Sequence, residues 1–216
     1  MKRIYKINLF ILLGYVLIGQ PLFGQQKIDY FPLQQGNQFT YEWSYKENSG
    51  TKTYFIGKQK MAGLEFFYFL KDSDLGNKYA LVAQEGPGLH CYYQKKGLKT
   101  YILLPSSIIA SELDYGELNN ASLWLDSSPQ IGNSRTIVSS DGKSYARFTV
   151  EAIETVTVSS GTYKGCLKVS MYKAYYDNYS DPYITTTWFA PGVGKVKWEN
   201  SRGSKSELQR ATIINN

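Results

Sequence analysis

VTVSSGTYKGCLKV at residues 156–169 and TTTWFAPGVGKVKW at residues 185–198 each contain two strand-like runs joined at a glycine. In Ala190-Pro191-Gly192-Val193, the proline presets φ at the second turn position, and the glycine supplies the positive φ that the third position requires. This combination predicts a type II turn, at which the chain doubles back. Residues 156–198 therefore predict antiparallel strands that reverse direction at glycines.

The run after this turn alternates between apolar and charged residues. Val196 and Trp198 are predicted to share the buried face, and Lys195, Lys197 and Glu199 the solvent-facing one. Such alternation is typical of a strand that is buried on one side only.

The first clear strand of the chain is predicted over residues 38–46. Its aromatic side chains fall on one face, opposite polar ones: Phe39, Tyr41, Trp43 and Tyr45. An alternation of this length predicts a strand of roughly 30 Å, at about 3.3 Å per residue.

Turn signals rich in glycine recur between other runs of strand length. They lie at residues 48–50, 62–63, 72–77, 86–88, 96–97, 141–142 and 160–161. Residues 106–114 indicate a short helix or a loop with one helical turn, and the long run 146–158 predicts one strand with a local bend. The expected fold class is all-β, a curved antiparallel meander or half-open barrel with little helix outside the N-terminal segment.

Residues 1–24 have the organisation of a secretory signal peptide. Lys2, Arg3 and Lys6 precede an apolar run of 13 residues, which ends at Gln20-Pro21. A membrane-spanning helix needs about 20 apolar residues, so this segment is predicted to be cleaved after Gly24. The protein is therefore expected to be exported, periplasmic or secreted, with residues 25–216 forming a single β-domain without a membrane span.

Removal of the signal peptide lowers the net charge from +6 to +3, because it takes away three basic residues and no acidic ones. The remaining lysines and arginines alternate with acids and hydroxyls along the predicted strands, as on a solvated sheet face. The basic composition of the full chain therefore does not indicate a nucleic-acid partner.

Repeated short patterns suggest that the mature chain has two similar parts. Leu33-x-x-Gly36 precedes Trp43 much as Leu113-x-x-Gly116 precedes Trp124. The offsets between such motifs differ, so a second copy would carry insertions. Two similar half-sheets, residues 30–104 and 105–213, are the expected internal halves.

Three motifs carry a resemblance to a known family: YFPLQQGNQFTYEW (residues 30–43), VTVSSGTYKGCLKV (156–169) and TTTWFAPGVGKVKWE (185–199). They resemble the landmarks of the TapB-like family, uncharacterised bacterial envelope proteins in which Val-Pro-Ala-Gly usually stands at the position of Val158-Ser159-Ser160-Gly161. The turn glycine matches here and the proline does not. The resemblance implies a secreted or periplasmic β-domain, distantly similar to the half-barrels of lipoprotein carriers, and it brings no catalytic residues.

Cys91 and Cys166 would enter an oxidising compartment, which favours a disulfide between them. Against this pairing, Cys91 shares the apolar face of Leu89 and Tyr93, whereas Cys166 alternates with polar residues, so two separate buried thiols are the other interpretation. His90 is the single histidine and points away from Cys91 in a regular strand. This geometry argues against a Cys/His nucleophile and against a zinc site, and no catalytic residue, metal or cofactor is expected.

MYKAYYDNYSDPY at residues 171–183 is the stretch singled out for binding. Tyrosine offers a flat apolar face and a polar tip, and loops held by a rigid sheet often carry binding sites. The candidate ligand-binding residues are Tyr172, Tyr175, Tyr176, Tyr179 and Tyr183. The alternative is that these rings cover the rim of the sheet and pack on one another.

Two non-catalytic functions remain open at this point. In the first, a curved sheet surrounds a cavity that binds an amphipathic envelope ligand. In the second, four tryptophans pack the interior and the tyrosine-rich loop docks a protein or a glycan. A hydrolase ranks third, because no pair of carboxylates is marked out. The volume and lining of the largest cavity distinguish the first two functions.

Overall fold

Twelve antiparallel strands form one curved sheet in the computed structural model, which describes residues 27–61, 63–71, 92–103, 122–138, 144–175 and 178–214. The strands are β1 (Gln38–Tyr45), β2 (Asn48–Met61), β3 (Leu64–Lys71), β4 (Tyr92–Lys96), β5 (Lys99–Leu103), β6 (Ser122–Leu125), β7 (Ser134–Val138), β8 (Ser144–Val158), β9 (Gly161–Tyr175), β10 (Asn178–Ala190), β11 (Gly194–Asn200) and β12 (Lys205–Thr212). The described residues contain no helix. The predicted all-β fold class is confirmed.

The sheet is a meander that is nearly closed into a barrel. Its spatial order is β6-β5-β4-β3-β2-β1-β12-β11-β10-β9-β8-β7, so strands that follow one another in sequence are paired within each half of this order. The pairing of β1 with β12 joins the two halves, and one seam remains between β6 and β7. The expected curved meander is thus closed more completely than a half-open barrel.

Side chains bridge the seam between β6 and β7. The ring centres of Trp124 on β6 and Phe148 on β8 are 6.0 Å apart. Asp126 Oδ2 lies 3.8 Å from Arg135 Nη2 and 3.4 Å from Lys99 Nζ. The two edges are therefore held together by packing and charge in place of a backbone ladder.

Phe31 fills one end of the barrel interior. Its ring centre lies between 5.0 and 5.9 Å from the ring centres of Tyr93, Trp124, Phe189 and Phe69. The backbone of the same segment is fixed as well, because Gly192 N donates to the Asp29 carbonyl oxygen at 2.8 Å. Such aromatic contacts stabilise a core beyond the area that they bury, so the segment before β1 acts as a packed plug.

The turn between β10 and β11 has the predicted form. Gly192 has a φ of 69°, and Val193 N donates to the Ala190 carbonyl oxygen at 3.2 Å. A two-residue turn, Ser159-Ser160, likewise connects β8 to β9 before Gly161. The predicted turn at residues 48–50 is wrong, because β2 already begins at Asn48.

The chain reverses between β1 and β2 at Lys46 and Glu47, where Lys46 adopts a φ of 52°. Gly50 lies inside β2, opposite Trp43, and a Cβ atom there would come within 3.2 Å of the indole Nε1. Glycine at this position therefore makes room for an aromatic ring and does not form the turn.

The predicted long strand over residues 146–158 is confirmed as part of β8, but two bulges interrupt its pairing with β9. One register shift lies between Val150 and Ala152, and the other between Glu154 and Val156. The first adds a residue to β8 and the second adds one to β9. Because the two shifts cancel, Val156 returns to the buried face without a permanent change of phase.

Several predictions fall outside the described residues: the signal peptide at 1–24, the short helix or helical turn at 106–114, His90, and the turns at 72–77, 86–88 and 141–142. The boundary between the expected halves, at 104/105, also lies there, so the two halves stay a prediction. No helix within the described ranges is both long and apolar enough to span a membrane.

Candidate functional site

A cavity of about 290 Å³ opens at the end of the barrel where β1 ends and β12 begins. Its lining combines aromatic rings, hydroxyl groups and lysines. The residues are Tyr41, Trp43, Ser44, Tyr45, Lys52, Tyr54, Lys71, Lys195, Trp198, Ser204, Lys205 and Ser206. We call this space the basic cavity.

Strand register places two of these lysines on the inner face of the sheet. Lys52 on β2 pairs with Tyr41 on β1, and Lys71 on β3 pairs with Tyr54 on β2. Residues that pair directly across antiparallel strands project from the same face. Because Tyr41 is a core residue with 2% of its surface exposed, Lys52 beside it also projects towards the interior.

A bulge on β11 turns Lys195 inward. Lys197 pairs with Trp188, but Lys195 pairs with Phe189, so Val196 is an extra residue on β11. The predicted placement of Lys195 with Lys197 on the solvent-facing side is therefore wrong. Strict alternation fails here because an extra residue reverses the phase of the strand, and Lys195 lines the basic cavity together with Trp198.

Two tryptophans flank a serine in one row of the sheet. Trp43 on β1 and Trp198 on β11 both pair with Ser206 on β12, which lies between them. Neighbouring strands are about 4.8 Å apart, so the two tryptophan Cα atoms are separated by about 10 Å. Both indole groups line the basic cavity, and that of Trp43 lies over Gly50 of β2.

The charged residues that line the basic cavity are all positive. Lys52, Lys71, Lys195 and Lys205 contribute positive charge, and none of the described lining residues is acidic. Burial, and secondly the charge of Lys71, lower the pKa of Lys52 from its ordinary value. An anion in the cavity would relieve this repulsion between ammonium groups.

Two of these lysines make cation–π contacts with aromatic rings of the cavity. Lys52 Nζ lies 4.6 Å from the Trp43 ring centre, and Lys195 Nζ lies 5.0 Å from that of Tyr41. Cation–π contacts of this kind are attractive but weaker than a charge-assisted hydrogen bond to an anion. These contacts hold Lys52 and Lys195 at the cavity wall.

A smaller apolar crevice of about 40 Å³ lies deeper in the barrel. It shares Lys195 and Trp198 with the basic cavity, and its other lining includes Trp124, Phe148 and Met171. A water molecule requires about 10–15 Å³ of such space. The crevice therefore has room for a few small groups and no more.

The sequence-predicted tyrosine site is described only in part. The Tyr172 ring is half-buried, with its centre 6.1 Å from that of Tyr145 and Arg147 Cζ 5.6 Å from it. Tyr175 lies in β9, and Tyr179 and Tyr183 lie in β10, but their side chains are outside what the structure describes, as is Tyr176 altogether. Binding by this stretch stays a prediction.

Only one of the two cysteines of the predicted disulfide lies in the described part of the chain. Cys166 is fully buried, and its thiol donates to the Tyr163 carbonyl oxygen at 3.4 Å. Burial raises the pKa of this thiol. Cys91 lies outside the described residues, so a disulfide between the two stays a prediction.

Sequence reasoning missed the basic cavity, although part of the signal was present. In β2 and β3, Lys52 lies two residues before Tyr54, and Lys71 lies two residues after Phe69, so each lysine extends an apolar face. A lysine in phase with buried residues indicates an inward charge. No such signal exists for Lys195, because the bulge that turns it inward is invisible in the alternation of residues.

Comparison with known proteins adds little to this geometry. No family model matches the chain, and no curated protein matches it by sequence. Among solved structures, the chain is similar to a "putative lipoprotein" from Parabacteroides distasonis ATCC 8503, with 13% identity and a TM-score of 0.44. The match covers 87% of this chain and 100% of the other.

Proposed function

We propose that this protein is a non-catalytic binding module that holds a small anionic ligand in the basic cavity. The supporting observation is the lining itself, in which four lysines and five aromatic rings surround one space and none of the described lining residues is acidic. Ligand sites in proteins are typically apolar clefts with a few convergent polar groups. The lysines supply attraction for a negative charge, and the rings supply an apolar surface for the rest of the ligand.

The size of the cavity limits the ligand. Pockets for small molecules usually measure about 300–1,000 Å³, so the basic cavity, at about 290 Å³, suits a compact ligand. The other end of the barrel is filled by Phe31 and its four aromatic neighbours. Of the amphipathic envelope ligands expected from the sequence, these features favour a small one over a complete diacyl lipid.

Isothermal titration calorimetry with 2-naphthoate and its neutral analogue 2-naphthalenemethanol tests the proposal. Both probes have the same flat rings, and only the first has a negative charge. We expect the acid to bind about tenfold more tightly or better, as a charge-assisted contact predicts. Equal affinity for the acid and the alcohol would refute anion recognition.

A lysine pair and a matched control locate the binding. Lys52→Gln combined with Lys71→Gln is expected to weaken naphthoate binding by about tenfold, because two charges at the cavity wall are lost. Lys164→Gln removes an exposed charge of β9 that does not line the cavity, and it should leave binding unchanged. Unaltered binding in the double variant would place the ligand elsewhere.

Export from the cytoplasm and relationship to the TapB-like family are part of the same proposal. Both rest on the residues of the N-terminal segment and of the three motifs. The second candidate function is docking of a protein or glycan through the tyrosine-rich stretch, and the tightly packed aromatic core around Phe31 favours it. Recovery of a partner from envelope fractions, lost in a Tyr176→Ser/Tyr179→Ser variant, would support docking, and unchanged recovery would remove it.

A further inference from the structure

We infer that the ligand of the basic cavity carries a phosphate monoester, which binds between Lys52 and Lys71. This inference rests on the proposed function and names its ligand class. Two features of the cavity support it: two lysines share one part of its wall, and every cation in the described lining is a lysine.

Lys52 and Lys71 lie diagonally across two neighbouring strands. Tyr54 on β2 pairs with Lys71 on β3, and Lys52 precedes Tyr54 by two residues. Diagonal neighbours of this kind have Cα atoms about 7–8 Å apart and project from one face of the sheet. Both lysines are exposed and line the cavity, so one anion can reach the two ammonium groups from solvent.

The two ammonium groups repel each other. After burial, the charge of Lys71 is the second cause of the lowered pKa of Lys52, as expected for two like charges that lie close together. None of the described lining residues is acidic, so the described lining supplies no compensating negative charge. A carboxylate or a sulfate ester would supply one negative charge, and a phosphate monoester close to two at neutral pH. The second charge matches the second lysine.

The type of cation in the lining favours selection by charge. Arginine offers a planar fork of donors that matches the two oxygens of a carboxylate, whereas lysine is a compact point charge. The described lining has four lysines and no arginine. Such a lining does not select a planar group, and a doubly charged group gains more from it than a carboxylate does.

Isothermal titration calorimetry with 2-naphthyl phosphate and 2-naphthyl sulfate tests the inference. The two probes have the same rings and a similar tetrahedral group, and they differ in charge. At a pH of about 7.5, where the phosphate is almost completely doubly charged, it should bind about tenfold more tightly than the sulfate. Equal affinities at this pH would overturn the inference.

A lower pH removes the second charge of the phosphate and leaves the sulfate as it was. The second pKa of a phosphate monoester is about 6, so only about a tenth of the probe is doubly charged at a pH of about 5, and its advantage should fall to about twofold. The titratable groups of the described lining are lysines and tyrosines. They act on both probes, so the ratio of the two affinities isolates the charge of the ligand. A ratio that stays the same at the lower pH would show that the second charge is not recognised.

Lys71→Gln and a matched control locate the phosphate. The variant leaves one of the two ammonium groups, so the advantage of the phosphate over the sulfate should fall from about tenfold to about threefold or less. Lys60→Gln removes an exposed charge of β2 that does not line the cavity, and it should leave the advantage unchanged. Both replaced side chains are exposed, and thermal unfolding checks that both variants fold. An undiminished advantage in Lys71→Gln would refute binding between the two lysines.

A soluble phosphate ester and the headgroup of a phosphatidate share this chemistry. Flotation with phosphatidylcholine vesicles, with and without phosphatidate, distinguishes the two sources. The cavity volume of about 290 Å³ favours the soluble ester, for which recovery should be the same on both kinds of vesicle. Recovery that requires phosphatidate and is lost in Lys71→Gln would assign the phosphate to a lipid instead.

The two proposals fail in different ways. Lysine-dependent binding of 2-naphthoate, together with equal affinities for the phosphate and the sulfate, would overturn the phosphate inference and leave the anionic cavity standing. Absence of binding by 2-naphthoate, 2-naphthyl phosphate and 2-naphthyl sulfate alike would overturn both.

Discussion

The hydroxyl of Tyr41 donates a 3.0 Å hydrogen bond to the carbonyl oxygen of Lys195, and the ammonium group of the same lysine lies 5.0 Å from the Tyr41 ring centre. The two residues belong to β1 and β11, which are separated by β12 in the sheet. Tyr41 therefore reaches across a strand to the point where a bulge interrupts the ladder. This double contact holds Lys195 at the wall of the basic cavity.

Replacement of Tyr41 by phenylalanine should loosen this bulge. The Lys195 carbonyl oxygen lies where the backbone ladder is disrupted, so loss of its donor removes a hydrogen bond worth about 1 kcal/mol. Urea denaturation of Tyr41→Phe is expected to show a loss of that size in the free energy of unfolding. Tyr101→Phe, at a half-buried ring of β5, serves as the control. An unchanged midpoint for Tyr41→Phe would show that the bond contributes nothing.

Anion binding should weaken as the pH rises. Burial and the charge of Lys71 lower the pKa of Lys52, so this ammonium group loses its proton at a lower pH than an ordinary lysine. An anion binds the protonated form, and affinity for 2-naphthoate should therefore fall as the pH passes through the lowered pKa. In Lys71→Gln the repulsion is absent, and the midpoint of the fall should move to higher pH. Calorimetry across a pH series measures both midpoints, and identical midpoints would show that the two lysines do not interact.

The fold was predictable from sequence because it depends on features of period two. Alternating aromatic residues in 38–46 and the glycine of the 190–193 turn specify strands and reversals directly. Bulges are not specified in this way, since an extra residue such as Val196 looks like any other member of an alternating run. This is why the buried face of β1 was predicted and the inward position of Lys195 was not.

The candidate site was less predictable because it is assembled from five strands. Trp43, Ser206 and Trp198 belong to three of them and meet only through the pairing of β12 with β1 and β11. Nothing local in the chain indicates that the first strand pairs with the last. A tyrosine-rich segment, in contrast, is visible in the sequence by composition alone, which explains why residues 171–183 were singled out.

Phe31 should contribute a large share of the stability of the barrel. It lies in the segment before β1, has 3% of its surface exposed and contacts four aromatic rings. Replacement of a buried phenylalanine by alanine typically costs about 3–5 kcal/mol, and Phe31→Ala should lower the free energy of unfolding by that amount. Ile131→Ala, at a side chain that is 64% exposed, should stay within about 0.5 kcal/mol of the wild type. A small effect at Phe31 would mean that the plug is not part of the cooperative core.

An ion pair between Asp29 and Lys95 fixes the segment before β1 to strand β4. Asp29 Oδ1 accepts from Lys95 Nζ at 2.7 Å and from the backbone N of Phe31 at 2.9 Å. A double-mutant cycle of Asp29→Asn and Lys95→Met should give a coupling free energy of about 1–3 kcal/mol, because each partner is partly buried. Lys58 and Glu65 form an equally short pair at a more exposed position, for which the coupling should be below about 1 kcal/mol.

The Lys95 pair also predicts how stability changes with pH. Burial lowers the pKa of Lys95 more strongly than the hydrogen bond and charge of Asp29 raise it. The folded protein therefore releases the Lys95 proton at a lower pH than the unfolded chain does. In the interval below the ordinary lysine value of 10.5, the unfolded state binds more protons, and stability contributed by Lys95 rises with pH. Urea denaturation across this interval should show that the free energy of unfolding of the wild type, measured relative to that of Lys95→Met, increases as the pH rises. A difference that shrinks instead would mean that attraction to Asp29 outweighs burial, and that the charged form of Lys95 is the one that the fold favours.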